Sequence, residues 1–153
     1  MAKLKMKSTV IEQKMIADGI CSMWLDAKEI AVQAKPGQFI SVYSNDKSRV
    51  LPRPISICEI DREKGTLRIV YRVVGKGTEE FSKAEAGDSF EILGPLGNGF
   101  PIEEAKGKKV LMIGGGIGVP PMLQTAKEIE GEAIIVSGYR NQDLFLKEEL
   151  ESA

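Results

Sequence analysis

The chain has 153 residues, 42% hydrophobic and 28% charged, enough for one domain or for one small domain and part of another. A formal net charge of -1 with interleaved signs gives no electrostatic basis for nucleic-acid or membrane binding. No run approaches the roughly 20 apolar residues of a membrane span, and the Lys-rich start lacks a signal-peptide core, so the cytoplasm is the expected location.

The absence of histidine removes the usual general base, the Ser-His and Cys-His nucleophile pairs and the commonest zinc ligand. Chemistry is thereby moved onto a cofactor. The first two thirds read as short strands separated by turn signals, the pattern of an all-β antiparallel barrel or sandwich. Strands at residues 8–13 and 20–25 flank a turn at Asp18-Gly19, and Pro36-Gly37 forms a type II turn into residues 38–43. Next comes Leu51-Pro52-Arg53-Pro54-Ile55-Ser56-Ile57. Its prolines set φ, bias Leu51 and Arg53 toward extended backbone and lack an N–H, which places the segment at a sheet edge or rim. Arg53 is a two-pronged phosphate donor, and Ser56 can offer its hydroxyl and N–H to a flat heterocycle. An edge strand with aggregation-blocking prolines and a solvated arginine fits these residues equally.

After a polar turn at 61–65, residues 66–73 alternate, with Leu67, Ile69, Tyr71 and Val73 on one face and Arg68 and Arg72 on the other. The pattern predicts a half-buried strand whose second face is basic. Thr78, preceded by Gly75 and Gly77, is expected to N-cap a short helix through Glu79, Glu80 and Phe81. A helix start of this kind takes phosphate on its N–H groups. Glu79 and Glu80 argue partly against that, and an ordinary capped surface helix fits as well. Residues 89–93 read as a strand and 94–100 as an irregular glycine-rich connection, with a domain boundary near Pro101.

Beyond it the pattern becomes βαβ. Residues 110–113 are a continuous apolar run of the kind buried on both faces of a parallel sheet. Gly114-Gly115-Gly116-Ile117-Gly118 follows, then a helix with Pro120 in its first turn and Met122, Leu123, Ala126 and Ile129 on its apolar face. Residues 133–136 form the second strand, and another helix begins at Leu144. The glycine run lets backbone approach a pyrophosphate, although a tight strand-to-helix turn without ligand also fits. Val119 replaces the third glycine of the dinucleotide fingerprint, and Ser137-Gly138-Tyr139-Arg140 stands where an acidic residue holds a ribose. Arg140 is of the type that takes a 2′-phosphate, so NADH and NADPH both stay open. Cys21 and Cys58 read as buried small hydrophobes.

Taken in order, Arg53-Pro54-Ile55-Ser56, Gly77-Thr78, Gly94 to Phe100 and Gly114 to Pro121 resemble the ferredoxin reductase superfamily. More narrowly they resemble the electron-transfer subunits of two-subunit, NAD-dependent dihydroorotate dehydrogenases. The resemblance implies an FAD-binding barrel over 1–101 and part of an NAD-binding α/β domain over 102–153. It implies FAD contacts from Arg53, Pro54, Ile55 and Ser56, from Val70, Tyr71 and Arg72, and from Gly77 and Thr78 at the diphosphate. It also implies an NADH floor from Gly114, Gly115, Gly116 and Gly118. Ile55 stands where the superfamily commonly has an aromatic, so flavin stacking differs on that face.

The implied activity is oxidoreductase: hydride transfer between NADH and FAD, then single-electron delivery to an FMN-containing dihydroorotate dehydrogenase catalytic subunit in pyrimidine biosynthesis, within a heterotetramer. The two-iron two-sulfur cluster of such subunits needs four cysteines near the C-terminus that this chain lacks, and no metal ligands are assigned. The chain therefore reads as C-terminally incomplete, expected to bind FAD without reducing a partner by itself. A related flavoprotein subunit of the ferredoxin:NADP or sulfide dehydrogenase type, or a flavin-binding module without turnover, shares these features.

Overall fold

The computed structural model describes residues 2–153. Leu4–Ala17 (β1) and Ile20–Asp26 (β2) form a hairpin about Asp18-Gly19, longer than the sequence pattern predicts. Lys28–Ala31 (α1) is a single turn that the pattern did not show, since four residues cannot display a helical period. Gly37 takes φ +84°, as position i+2 of a type II turn requires, and leads into Phe39–Val42 (β3). Arg53–Asp61 (β4), Thr66–Arg72 (β5), Lys76–Ser82 (α2) and Ser89–Leu96 (β6) complete the first unit. The six strands close as an antiparallel barrel in the order β1-β2-β5-β4-β3-β6. Its core includes Met23, Leu25, Ile40, Ile57, Ile69 and Phe81.

Two local expectations are corrected here. Residues 94–100 are not irregular throughout, because β3 supplies ladder partners as far as Phe39↔Leu96, so β6 continues through Gly94-Pro95. Thr78 is not the N-cap. Gly75 is, and Thr78 sits in the first turn of α2, where its hydroxyl accepts the N–H groups of Val74 (2.9 Å) and Gly75 (3.2 Å). A threonine three residues into a helix can bond backward to the capping backbone, which spacing alone does not distinguish from capping itself.

A 3-10 turn at Ile102–Ala105 precedes Lys109–Gly115 (β7), Pro120–Glu128 (α3), Glu132–Gly138 (β8) and Lys147–Glu151 (α4). The strands β7 and β8 are parallel neighbours, and Pro120 does occupy the first turn of α3. The final helix begins later than Leu144 because residues 144–146 form tight turns ending at Leu146, which has φ 64°. The apolar run in β7 is not buried on both faces. Met112 is covered, while Leu111 and Ile113 are 60% and 73% exposed, since the described residues place a helix on one side only of the two-stranded sheet. Among the described residues no helix is long and apolar enough to cross a membrane.

The predicted basic, half-buried second face of β5 is also corrected: the strand is buried on both sides. Ile20, Cys58 and Val70 on the barrel's outside pack against Val119, Met122 and Leu123. Within this seam Arg68 donates to Ser22 (Nε, 2.8 Å), Glu59 (2.6 Å) and Glu149 of α4 (2.6 Å). Lys127 of α3 pairs with the other oxygen of Glu59, and Gln124 accepts the Ile60 N–H at 2.7 Å. The second face thus carries charge because a second unit docks there with complementary charge. Both cysteines are buried and free, and burial pushes the Cys58 thiol up to about 12.

Burial by itself would raise the pKa of Glu59, but hydrogen bonds and charge from Lys127 and Arg68 outweigh it and hold the carboxyl below its usual 4.5. A lowered folded value means stability that is present above the unfolded pKa and is lost as pH falls through the folded one. The urea midpoint is therefore expected to drop between about pH 5 and pH 3, and Glu59→Gln to flatten that drop. An equally steep fall in the variant would show that Glu59 does not carry it.

Candidate functional site

The proline-framed strand sits where two strands part. Along β4, Arg53, Pro54, Ile55 and Ser56 pair with Val42, Ser41, Ile40 and Phe39 of β3. On its other side the ladder to β5 covers only the stretch from Ile57↔Ile69 to Asp61↔Thr66, with an irregularity after Ile57. Val70, Tyr71 and Arg72 meanwhile pair with Ser22, Cys21 and Ile20 of β2. Two backbone edges, residues 53–56 and 70–72, therefore diverge without pairing to each other. Pro54, which has no N–H, cannot extend that ladder. A gap between two strand edges suits a flat heterocycle that needs backbone donors and acceptors along its rim.

Arg53 stands at the mouth of this gap. Its one hydrogen bond runs from Nη1 to the Leu51 carbonyl (3.0 Å), and among the described residues it makes no ion pair. The side chain lies against Gly77, where a Cβ would come 2.9 Å from Arg53 Nε. A guanidinium with spare donors beside bare backbone at a helix start is what a phosphate requires. The acidic residues there are turned away. Glu79 pairs with Lys83 at 2.8 Å, and Glu80 is bound by Ser44, Asn45 and Arg49. The residues fit the FAD implied by the sequence. Thr78, with its hydroxyl committed to Val74 and Gly75, has only its N–H to contribute.

Side chains at the remaining positions point elsewhere. Ile55 is 7% exposed and joins the barrel core, as does Tyr71, whose hydroxyl accepts from Gln13 Nε2 at 2.9 Å. Val70 faces the seam. These three reach the gap only with their backbone, whereas Pro54, Ser56 and Arg72 keep accessible surface.

The glycine loop divides into two roles. A Cβ on Gly114 would meet Met122 Sδ at 2.8 Å and the Gly118 carbonyl at 3.0 Å, so this glycine lets β7 and α3 pack closely. Gly118 and Gly116 have open space, Gly116 at φ +55°, and a Cβ on Gly115 would meet only the Gly138 carbonyl, at an ordinary 3.8 Å. Gly116 also shares a cleft of about 80 Å³ with Arg72, Asp18 and Arg140. The structure thus brings the arginine at the end of β5 next to the glycine loop, a juxtaposition across 44 positions that spacing could not reveal. Gly114→Ala is expected to lower stability by about 1–3 kcal/mol through overpacking, with Gly118→Ala changing it by less than about 0.5 kcal/mol, as read from urea midpoints. Equal effects would refute this division.

A six-stranded antiparallel barrel whose fourth and fifth strands part, with a glycine-lined βα unit docked beside it, defines a ferredoxin reductase-like flavoprotein architecture. The chain belongs to the oxidoreductase FAD-binding domain family, whose model matches residues 4–100. It is 45% identical over 150 residues to the electron transfer subunit of dihydroorotate dehydrogenase B (NAD(+)) of Streptococcus mutans, covering 95% of this chain and 58% of that one. The Listeria welshimeri subunit of the same name is 40% identical over 152 residues, covering 96% and 59%. The chain therefore spans a little under three fifths of the length of these curated relatives. A solved NADH-dependent reduced ferredoxin-NADP oxidoreductase superposes with TM-score 0.80 at 29% identity, over 90% of this chain and 50% of that one.

Proposed function

We propose that this chain is the FAD-binding part of an electron-transfer subunit that passes electrons between NADH and an FMN-containing dihydroorotate dehydrogenase catalytic subunit in pyrimidine biosynthesis, in a cytoplasmic heterotetramer. The observation that carries the reading is the divergence of β4 and β5 around an Arg53 without an acidic partner, in a chain similar to such subunits. Arg53 holds phosphate, with the backbone of Gly77 and Thr78 beside it. Ser56 and the edges at Pro54, Ile55, Val70 and Tyr71 orient the heterocycle, and Arg72 stands between it and the nucleotide. Gly115, Gly116 and Gly118 form the open part of the NADH floor, and Gly114 sets its spacing from α3. FAD, when bound, supplies two-electron chemistry with nicotinamide and one-electron chemistry outward. The protein's part is orientation and exclusion of water rather than proton transfer, which agrees with a chain that has no histidine.

A two-iron two-sulfur cluster does not fit the residues present. Cys21 and Cys58 are both buried, and among the described residues no group of three or more His, Cys, Asp or Glu is placed to hold a metal. The test of the reading is the spectrum of the purified chain, titrated anaerobically with each nucleotide. Bound FAD bleached by NADH and not by NADPH is the expected result, and a chain that takes up no flavin overturns it. Bleaching by NADPH would favour a second reading, a ferredoxin:NADP-type subunit, which the 29% identical structural neighbour supports.

A further inference from the structure

The segment between Tyr43 and Arg53 is tied down far more firmly than a connecting loop needs to be. Glu80 of α2 accepts hydrogen bonds from Ser44 Oγ, the Asn45 N–H (2.8 Å) and Arg49 Nη1 (2.7 Å). Arg49 also donates to the carbonyl of Lys76, the first residue of α2, at 3.2 Å. Four residues later Arg53 lies against Gly77, the second residue of that helix, and grips the Leu51 carbonyl. Residues 50–52 are thus suspended across the start of α2, fixed at both ends. The side chains held there are apolar and bare: Val50 is 78% exposed and Leu51 71%, with Val74 at 77% just before the helix. Exposed apolar side chains on the segment leading into a cation that lacks an acidic partner call for a ligand with both characters.

FAD is a linear molecule, with the flavin at one end, the diphosphate in the middle and adenosine at the other. If the ring occupies the gap at Ser56 and the phosphates meet Arg53, the order along β4 is set. Strand β4 runs from Arg53 through Ser56 and Leu51 precedes it, so Leu51 and Ser56 lie on opposite sides of Arg53 along the chain. The adenosine half leaves the diphosphate toward Leu51 and Val50. FMN ends at its phosphate and never reaches them.

We propose that Val50 and Leu51, with Glu80 as the positioning residue that holds their loop, form the adenosine platform of this site and make it select FAD over FMN. The proposal rests on the flavin reading given above. Because the loop is fixed before any ligand arrives, little ordering entropy opposes the contact.

The test compares dissociation constants for FAD and for FMN, read by flavin fluorescence on the full chain freed of flavin. The double variant Val50→Ser, Leu51→Ser is expected to weaken FAD binding about tenfold, since stacking against two apolar side chains is lost, and to leave FMN binding unchanged. Glu80→Ala should move the FMN-to-FAD ratio the same way without touching either ligand. Val50 and Leu51 are exposed and Glu80 is partly buried, so thermal melting of each free variant checks that it is folded. Loss of the two affinities in equal measure, or of neither, overturns the platform while leaving the flavin site standing. A wild-type chain that binds neither flavin overturns both.

Discussion

Arg68→Met is expected to destabilise the protein by about 3–5 kcal/mol, the loss that follows when one member of a buried ion pair is removed and the other is left in place. The Arg68 side chain is 6% exposed and Glu59 12%, so water cannot take over the lost partner. Burial works against the guanidinium charge, yet the hydrogen bonds it donates to Glu149 and Glu59 prevail and raise its pKa. Arg68 draws together β2 through Ser22, β4 through Glu59 and α4 through Glu149. Its removal loosens the docking of the α/β unit as well as the barrel wall. Urea unfolding measures the loss, and the double variant Arg68→Met, Glu59→Gln should recover part of it, because the buried carboxylate left with Lys127 alone is gone. A loss under about 1 kcal/mol would mean that the pair behaves like a surface ion pair.

Arg53→Ala is expected to weaken FAD about 10–100-fold, in keeping with roughly 1.5–3 kcal/mol for hydrogen bonds to a charged group. Folding stability should hardly change, since the side chain makes one intramolecular hydrogen bond and is only partly buried. FMN should weaken as well, because its phosphate meets the same guanidinium, which separates this variant from those at Val50 and Leu51. Arg53→Lys retains the charge but not the fork and should fall between the two. Unchanged affinity for both flavins in isothermal titration would place the phosphates elsewhere.

The readings that held were those decided within a few residues. The turns at Asp18-Gly19 and Pro36-Gly37, the extended Arg53–Asp61 strand and the position of Pro120 at the head of α3 all follow from φ restrictions and from missing donors. The readings that failed each needed a partner from afar. Arg68 alternates with Leu67 and Ile69 just as a solvated arginine would, and nothing nearby in sequence announces Glu149, 81 positions away. Thr78 stands at cap spacing, but the fold turns its hydroxyl back toward Val74 and Gly75. Leu111 and Ile113 satisfy the pattern of a doubly covered strand, while the structure covers a single face.

The same division runs through the candidate site. Arginine, serine, prolines and glycines pointed to a phosphate-and-heterocycle chemistry, and the lack of histidine to a cofactor, because functional-group chemistry travels with the side chain. The sequence by itself also determined short antiparallel strands followed by a βα unit, since periodicity and turn chemistry are local, while closure of those strands into a barrel was settled by the tertiary structure. Only the tertiary structure decided that β4 and β5 part at Ile57 and Ile69, that Glu80 is turned to the 44–49 loop, and that Arg72 meets Gly116 in one cleft. Those outcomes depend on which faces become covered and which ladders stop, and both are set by contacts between residues tens of positions apart.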